Sequence, residues 1–198
     1  MFIEPVTDGD AAGDAAGLMA ADRAADGYVR NYTRLFARRP AVYAAWAALN
    51  GSIKAGMDLR RYELATVAAA RQLRSSYCTL AHGKVLADRF MSPDEVRDLV
   101  AKRSTDAIDE LEAAVMGLAE KVAADATSVT RADVEHLLAL GASETDVLDV
   151  VLAAAARCFF STVLDAMGAE PDSAYAEQLP ADLAEALTVG RPIAEPPR

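Results

Sequence analysis

Cysteine and histidine are scarce in this 198-residue chain, two of each, and tryptophan occurs once. Two thiols cannot form a disulfide framework of the kind that holds small secreted domains together. Two separated imidazoles, His82 and His136, give no zinc pattern, so no metal is expected. Positive charge is also short, 20 Lys and Arg against 30 Asp and Glu for a net charge of −10. That balance leaves no electrostatic footprint for a phosphate backbone and argues against nucleic-acid partners. The opening Met1-Phe2-Ile3-Glu4-Pro5 has neither a basic nor an apolar signal region. The most apolar stretch, Val147 to Leu164, carries Asp149 and Arg157 inside it. Neither an export signal nor a membrane span is expected, and a cytoplasmic location follows by default. The glycines form no GxGxxG or P-loop pattern, so no nucleotide cofactor is implied. Period-two runs of Val, Ile, Thr and aromatic residues are missing as well, which removes the signal for strands.

What is abundant is alanine, at 44 positions, within a 53% apolar composition. With leucine, glutamate and arginine it favours helix throughout, and the fold class reads as all-α in a single domain, 1–198. Pro40, Gly56, Ser92-Pro93, Gly141, Gly168 and Pro171 punctuate the pattern into several short helices. Ser92-Pro93-Asp94-Glu95 has the form of a helix start: a serine cap, proline at the first helical position and a glutamate that reaches back. Ser143-Glu144-Thr145-Asp146 is a looser version. Ile108, Leu111, Val115, Leu118 and Val122 form a one-sided stripe and predict a half-buried helix. Val147 to Leu164 is apolar nearly all round and suits a core or interface helix. The stretch to about Asp26 reads as a loosely packed N-terminal arm or helix, and the tail from Arg191 (residues 191–198) as irregular. Alanine buries little area per residue, and burial yields only about 25 cal/mol per Å², so self-association into a homo-oligomer is expected.

The segment Asp58 to Leu86, DLRRYELATVAAARQLRSSYCTLAHGKVL, holds one thiol and one imidazole. If Ser75 or Ser76 caps a new helix, Cys78 falls in its first turn, where free N–H groups and the helix dipole favour a thiolate. His82, four residues on, lies one turn along the same face, and the two form a candidate nucleophile and base. Glu63 sits on the preceding helix, capped by Asp58. An antiparallel hairpin over about 58–90 would return its carboxylate to His82 and complete a Glu–His–Cys proton relay. Ser75 reads as a cap or as a hydroxyl toward substrate, and Tyr77 as packing or pocket lining. His136 and Cys158 have no such partners and read as scaffold, with Phe159-Phe160 as core or interface.

A glutamate, a run of small apolar residues and then Ser75-Ser76-Tyr77-Cys78-Thr79-Leu80-Ala81-His82 resemble the signature of AhpD-like alkylhydroperoxidases, which share a superfamily with carboxymuconolactone decarboxylases. GYVRNYTRLFARRP, ending at Pro40, and Asp165 to Asp172 resemble flanks of its longer, peroxidase-related branch. The resemblance implies an all-helical, AhpD-like oligomeric bundle built around a helical hairpin. It also implies a Cys-x-x-Cys pair cycling between dithiol and disulfide while Glu and His move protons. Glu63, Cys78 and His82 match that glutamate, second cysteine and histidine; Ser75 stands where the first cysteine belongs.

The expected function is therefore a peroxidase-related oxidoreductase with peroxiredoxin-type activity, reducing a small-molecule hydroperoxide through the single thiol of Cys78. It would need no cofactor, but because a hydroxyl at position 75 cannot resolve a sulfenic acid, turnover would need an external thiol reductant, a thiol of another subunit or Cys158. Two alternatives keep the fold. One is a carboxymuconolactone decarboxylase-like enzyme using His82 and Glu63 as acid and base on a small carboxylate or lactone. The other is a non-catalytic oligomer in which Cys78 senses oxidation.

Overall fold

The computed structural model describes residues 1–102 and 106–196. Among these residues it is helical without strands, in the order α1 (Asp14–Asp26), α2 (Asn31–Phe36), α3 (Pro40–Gly56), α4 (Leu59–Gln72), α5 (Ser76–Arg89), α6 (Pro93–Lys102), α7 (Glu110–Asp125), α8 (Arg131–Ala139), α9 (Glu144–Ala166), α10 (Tyr175–Gln178) and α11 (Ala181–Leu187). The all-α expectation holds.

Helix α4 is the centre of the molecule. Every residue from Tyr62 to Ala70 is buried, and the helix packs against α5, α7 and α9. Ala65, Ala68 and Ala69 give it small faces that Val115, Leu118 and Ala154 approach. Small side chains let helix axes come close, which is one use of the alanine-rich composition. Asp58 caps α4, its Oδ1 accepting from Arg61 N at 3.0 Å. Arg60, one residue into the helix, holds the next hairpin by donating to Glu112 at 2.6 and 3.1 Å, to Ala107 O at 2.7 Å and to Phe90 O at 3.1 Å.

The predicted starts of α6 and α9 are built by reciprocal capping. Ser92 N donates to Glu95 Oε2 at 2.7 Å while Glu95 N donates to Ser92 Oγ at 3.3 Å. Ser143 and Asp146 do the same at 2.8 and 3.1 Å. Asp109 and Glu112 start α7 in the same way, and its buried Val115, Leu118 and Val122 lie on the expected stripe.

Helix α9 is long and apolar enough to cross a membrane by composition, with a window of mean hydropathy 1.9, half of it buried inside the fold. Here it is a core helix packed on α3, α4 and α7. Helix α1 docks through buried Met19 and through Asp22, which accepts from Arg30 N at 3.0 Å and Arg30 Nη1 at 2.9 Å.

Two features hold the motif hairpin in place. The segments flanking the motif meet each other: Asn31 N donates to Asp172 Oδ1 at 2.7 Å, and Asn31 Nδ2 to Glu170 O at 3.1 Å. From the C-terminal side, α11 lies on α5 where Gly83 has no side chain; a Cβ there would sit 2.6 Å from Leu187 Cδ2. The chain beyond α11 then crosses the start of α5, with Gly190 N donating to Ser76 Oγ at 2.7 Å.

Candidate active site

The α4–α5 turn is tight. Ser75 N donates to Ala70 O at 2.9 Å, and Arg74 takes a left-handed backbone with φ 57°. Ser75 occupies the cap position of α5, but its side chain makes no cap hydrogen bond, so the expected serine capping does not occur. Its hydroxyl is buried without a hydrogen-bond partner of good geometry, and its dipole acts on the Asp165 carboxyl of α9, helping to hold down a value that burial raises. The Ser76 hydroxyl is taken by Gly190 N.

The hairpin brings Glu63 and His82 together. His82 Nδ1 lies 2.5 Å from Glu63 Oε2, and Glu63 is fully buried. The other carboxylate oxygen accepts from Lys54 Nζ of α3 at 2.9 Å. Burial raises the Glu63 carboxyl, but the hydrogen bonds and charges of His82 and Lys54 outweigh it and leave the group below its ordinary value. His82 moves the same way for another reason. Burial pushes its imidazole down to about 4, the Arg157 charge adds to the effect, and Glu63 only partly opposes it. At neutral pH the pair is thus a carboxylate and a neutral imidazole. The short contact places the proton on Nδ1, donated to Glu63, and leaves the lone pair on Nε2.

Cys78 is the third residue of α5, in its first turn, and is 2% exposed. Its sulfur has a partner from outside the hairpin: Arg157 Nη1 of α9 donates to Sγ at 3.5 Å. Arg157 is itself 2% exposed. Burial works against its charge, yet the Cys78 sulfur and the Tyr62 hydroxyl more than offset that and keep it firmly a guanidinium. The ring of Phe160 lies 5.8 Å from its Cζ. Glu63, His82 and Cys78 thus lie on two packed helices, with Lys54 and Arg157 supplying positive charge from α3 and α9.

Tyr77 is turned away from this cluster. It is buried, donates its hydroxyl to Asp172 and accepts from Tyr32 N at 3.4 Å, so it fastens the two flanking segments to α5. Cys158 is partly buried, and burial pushes its thiol up. His136 is exposed on α8. Among the described residues no three of His, Cys, Asp and Glu converge as a metal site.

Sequence reasoning missed Lys54 and Arg157. Lys54 gave no signal, since its partner is reached only when α3 folds against α4. Arg157 gave one: a lone cation in an otherwise apolar helix must either reach the surface or have a polar purpose inside.

The fold and site define an all-helical protein with a buried cysteine beside an acid–imidazole pair. Residues 40–121, from the first residue of α3 into α7, match the model of the carboxymuconolactone decarboxylase family. Over that segment the chain is similar to the carboxymuconolactone decarboxylase family. The AhpD-core, peroxidase-related protein of Ralstonia eutropha JMP134 superposes with a TM-score of 0.78 at 21% identity, over 88% of this chain and 93% of that one. A peroxidase-related protein of Silicibacter sp. TM1040 gives 0.74 at 18% identity, over 88% and 91%. The debrominase Bmp8, in a cysteine-to-alanine form with 2,3,4-tribromopyrrole, gives 0.73 at 14% identity, over 90% and 95%. No curated protein matches the chain by sequence. The matched segment contains Lys54, Glu63, Ser75, Cys78 and His82; Arg157 lies outside it.

Proposed function

We propose that the protein is a thiol-dependent hydroperoxide reductase of the AhpD type in which Cys78 is the single reacting thiol. The observation that carries this reading is the Glu63–His82 hydrogen bond, formed one helical turn from a cysteine whose sulfur touches a guanidinium. The sulfur attacks the terminal oxygen of the hydroperoxide; an S–O bond forms, the O–O bond breaks, and the electron pair leaves with the alkoxide. His82 Nε2 takes the thiol proton and returns it to the alkoxide, while Glu63 steadies the transient imidazolium. The products are an alcohol and a sulfenic acid. One external thiol converts the sulfenic acid to a mixed disulfide and water, and a second releases Cys78. A homo-oligomer is part of the proposal, argued below from the outer face of α3 and α9.

Hydroperoxide consumption in the presence of a dithiol tests it. Cys78→Ser should abolish turnover and His82→Ala should lower it by on the order of 10²-fold. Unchanged turnover in Cys78→Ser would overturn the reading. One oxidation per chain with no further consumption would assign Cys78 to redox sensing instead.

A second reading is favoured by the neutral His82 beside an ionised Glu63 and by the family match. In that reading the pair acts as acid and base on a carboxylate or lactone substrate, as a decarboxylase would. Activity on such a substrate would then survive Cys78→Ser and be lost in His82→Ala.

A further inference from the structure

Arg157 is nine-tenths buried and more, yet among the described residues it forms no ion pair. Its Nε is buried with no hydrogen-bond partner. Its Nη1 reaches Cys78 Sγ, and its guanidinium also lies against the Phe160 ring and the Tyr62 hydroxyl. A cation taken out of water without a carboxylate is costly, and an anion that reaches it offsets part of that cost. Around the sulfur, Lys54 is matched by Glu63, and Arg157 by nothing. With His82 neutral, the site carries one uncompensated positive charge inside a chain of net charge −10.

We propose that Arg157 is a further catalytic residue, the fixed counter-charge of the reacting sulfur, and that it biases Cys78 toward co-reactants bearing negative charge next to the atom attacked. The proposal rests on Cys78 being the reacting atom, as in the hydroperoxide reading. In that reaction negative charge sits first on the sulfur and then on the departing alkoxide, both beside the guanidinium. A cation fixed before the reaction needs no reorganisation as that charge moves. Because the guanidinium is also held by packing against Phe160, it stays in place when the sulfur is modified.

The test compares iodoacetate with iodoacetamide, two alkylating probes of similar size of which the first is an anion and the second neutral, by following the Cys78 peptide with mass spectrometry. Taking the ratio of the two rates cancels access to the buried sulfur. In the native protein the iodoacetate-to-iodoacetamide ratio should exceed that of the same chain unfolded in urea by about tenfold, the scale of one nearby charge in a partly desolvated site. Arg157→Met should return the ratio to the unfolded value, and Arg157→Lys should keep part of the preference. If the Met variant does not fold, the comparison of native with unfolded unaltered chain decides alone. A native ratio equal to or below the unfolded one overturns the proposal, as does a native Cys78 that neither probe alkylates.

Treating the same protein with cumene hydroperoxide separates this proposal from the reading beneath it. Oxidation at Cys78 without anion preference removes the role of Arg157 and keeps the peroxide chemistry. Anion preference without oxidation does the reverse.

Discussion

His82 is held in its neutral form by burial, and that has a consequence for the whole protein's stability. Its folded value of about 4 lies below the ordinary 6.5. Between those values the unfolded chain binds a proton that the folded chain does not, so stability rises with pH through this window and falls as the pH is lowered through it. Glu63, held below its ordinary value, adds a contribution present at higher pH and lost as the pH falls through its folded value. Urea midpoints measured in steps from pH 7 to pH 4 should decline in the unaltered protein, and His82→Gln should flatten the upper part of that decline. An identical slope in both would mean that His82 is not the group being protonated. At this scale the sequence was partly legible. Glu63 and His82 could be brought together because a hairpin returns one to the other, and Cys78 could be placed one turn from His82 because four residues on a helix is one turn. Lys54 and Arg157 were not legible, because each reaches the site from a separate helix and no local spacing connects them to it.

At the scale of elements, the helix starts at Asp58, Ser92 and Ser143 were legible because their caps are local hydrogen bonds within four residues, reciprocal at Ser92 and Ser143. The start of α5 was placed where it lies, but its cap was misread for the opposite reason. The Ser75 side chain makes no cap, and the Ser76 hydroxyl is claimed by Gly190, 114 residues away in the chain. The strap after α11 therefore does what local capping does elsewhere, and it lies over the turn that carries Cys78. Gly190 is required there, since a Cβ would sit 2.0 Å from the Arg74 carbonyl oxygen. Gly190→Ala should lift the strap, cost about 1–3 kcal/mol of stability as overpacking does, and speed alkylation of Cys78 by iodoacetamide. Unchanged stability together with an unchanged alkylation rate would show that the strap does not hold the start of α5.

At the scale of the whole molecule, an alanine-rich chain with a thoroughly buried α4 leaves large apolar side chains on its outside. Leu49 is 55% exposed on α3, and Leu148, Leu152 and Phe159 are 56%, 38% and 42% exposed on the neighbouring α9. An open apolar groove of about 650 Å³ runs between these helices, lined by Trp46, Ile53 and Ala156 among others. A contiguous apolar face on a soluble protein is characteristic of an interface. A second copy of the chain is the occupant proposed here, because small alanine side chains limit what each chain can bury by itself. Sedimentation velocity at micromolar concentration should find an assembly larger than one chain, and Leu152→Glu with Phe159→Glu should dissociate it. A stable monomer before substitution would contradict this. The all-helical fold was legible from composition and punctuation, and the apolar character of α9 from its sequence. Which part of α9 faces inward was not, because its apolar residues surround the helix and only packing against α3, α4 and α7 selects a side.

The most direct test of Cys78 as the reacting atom is to treat the folded protein with cumene hydroperoxide and dimedone, which traps sulfenic acid, and to map the adduct by mass spectrometry. The site described above predicts an adduct on Cys78, none on Cys158, and slower formation in His82→Ala. A folded protein whose Cys78 stays unmodified under excess hydroperoxide would contradict it.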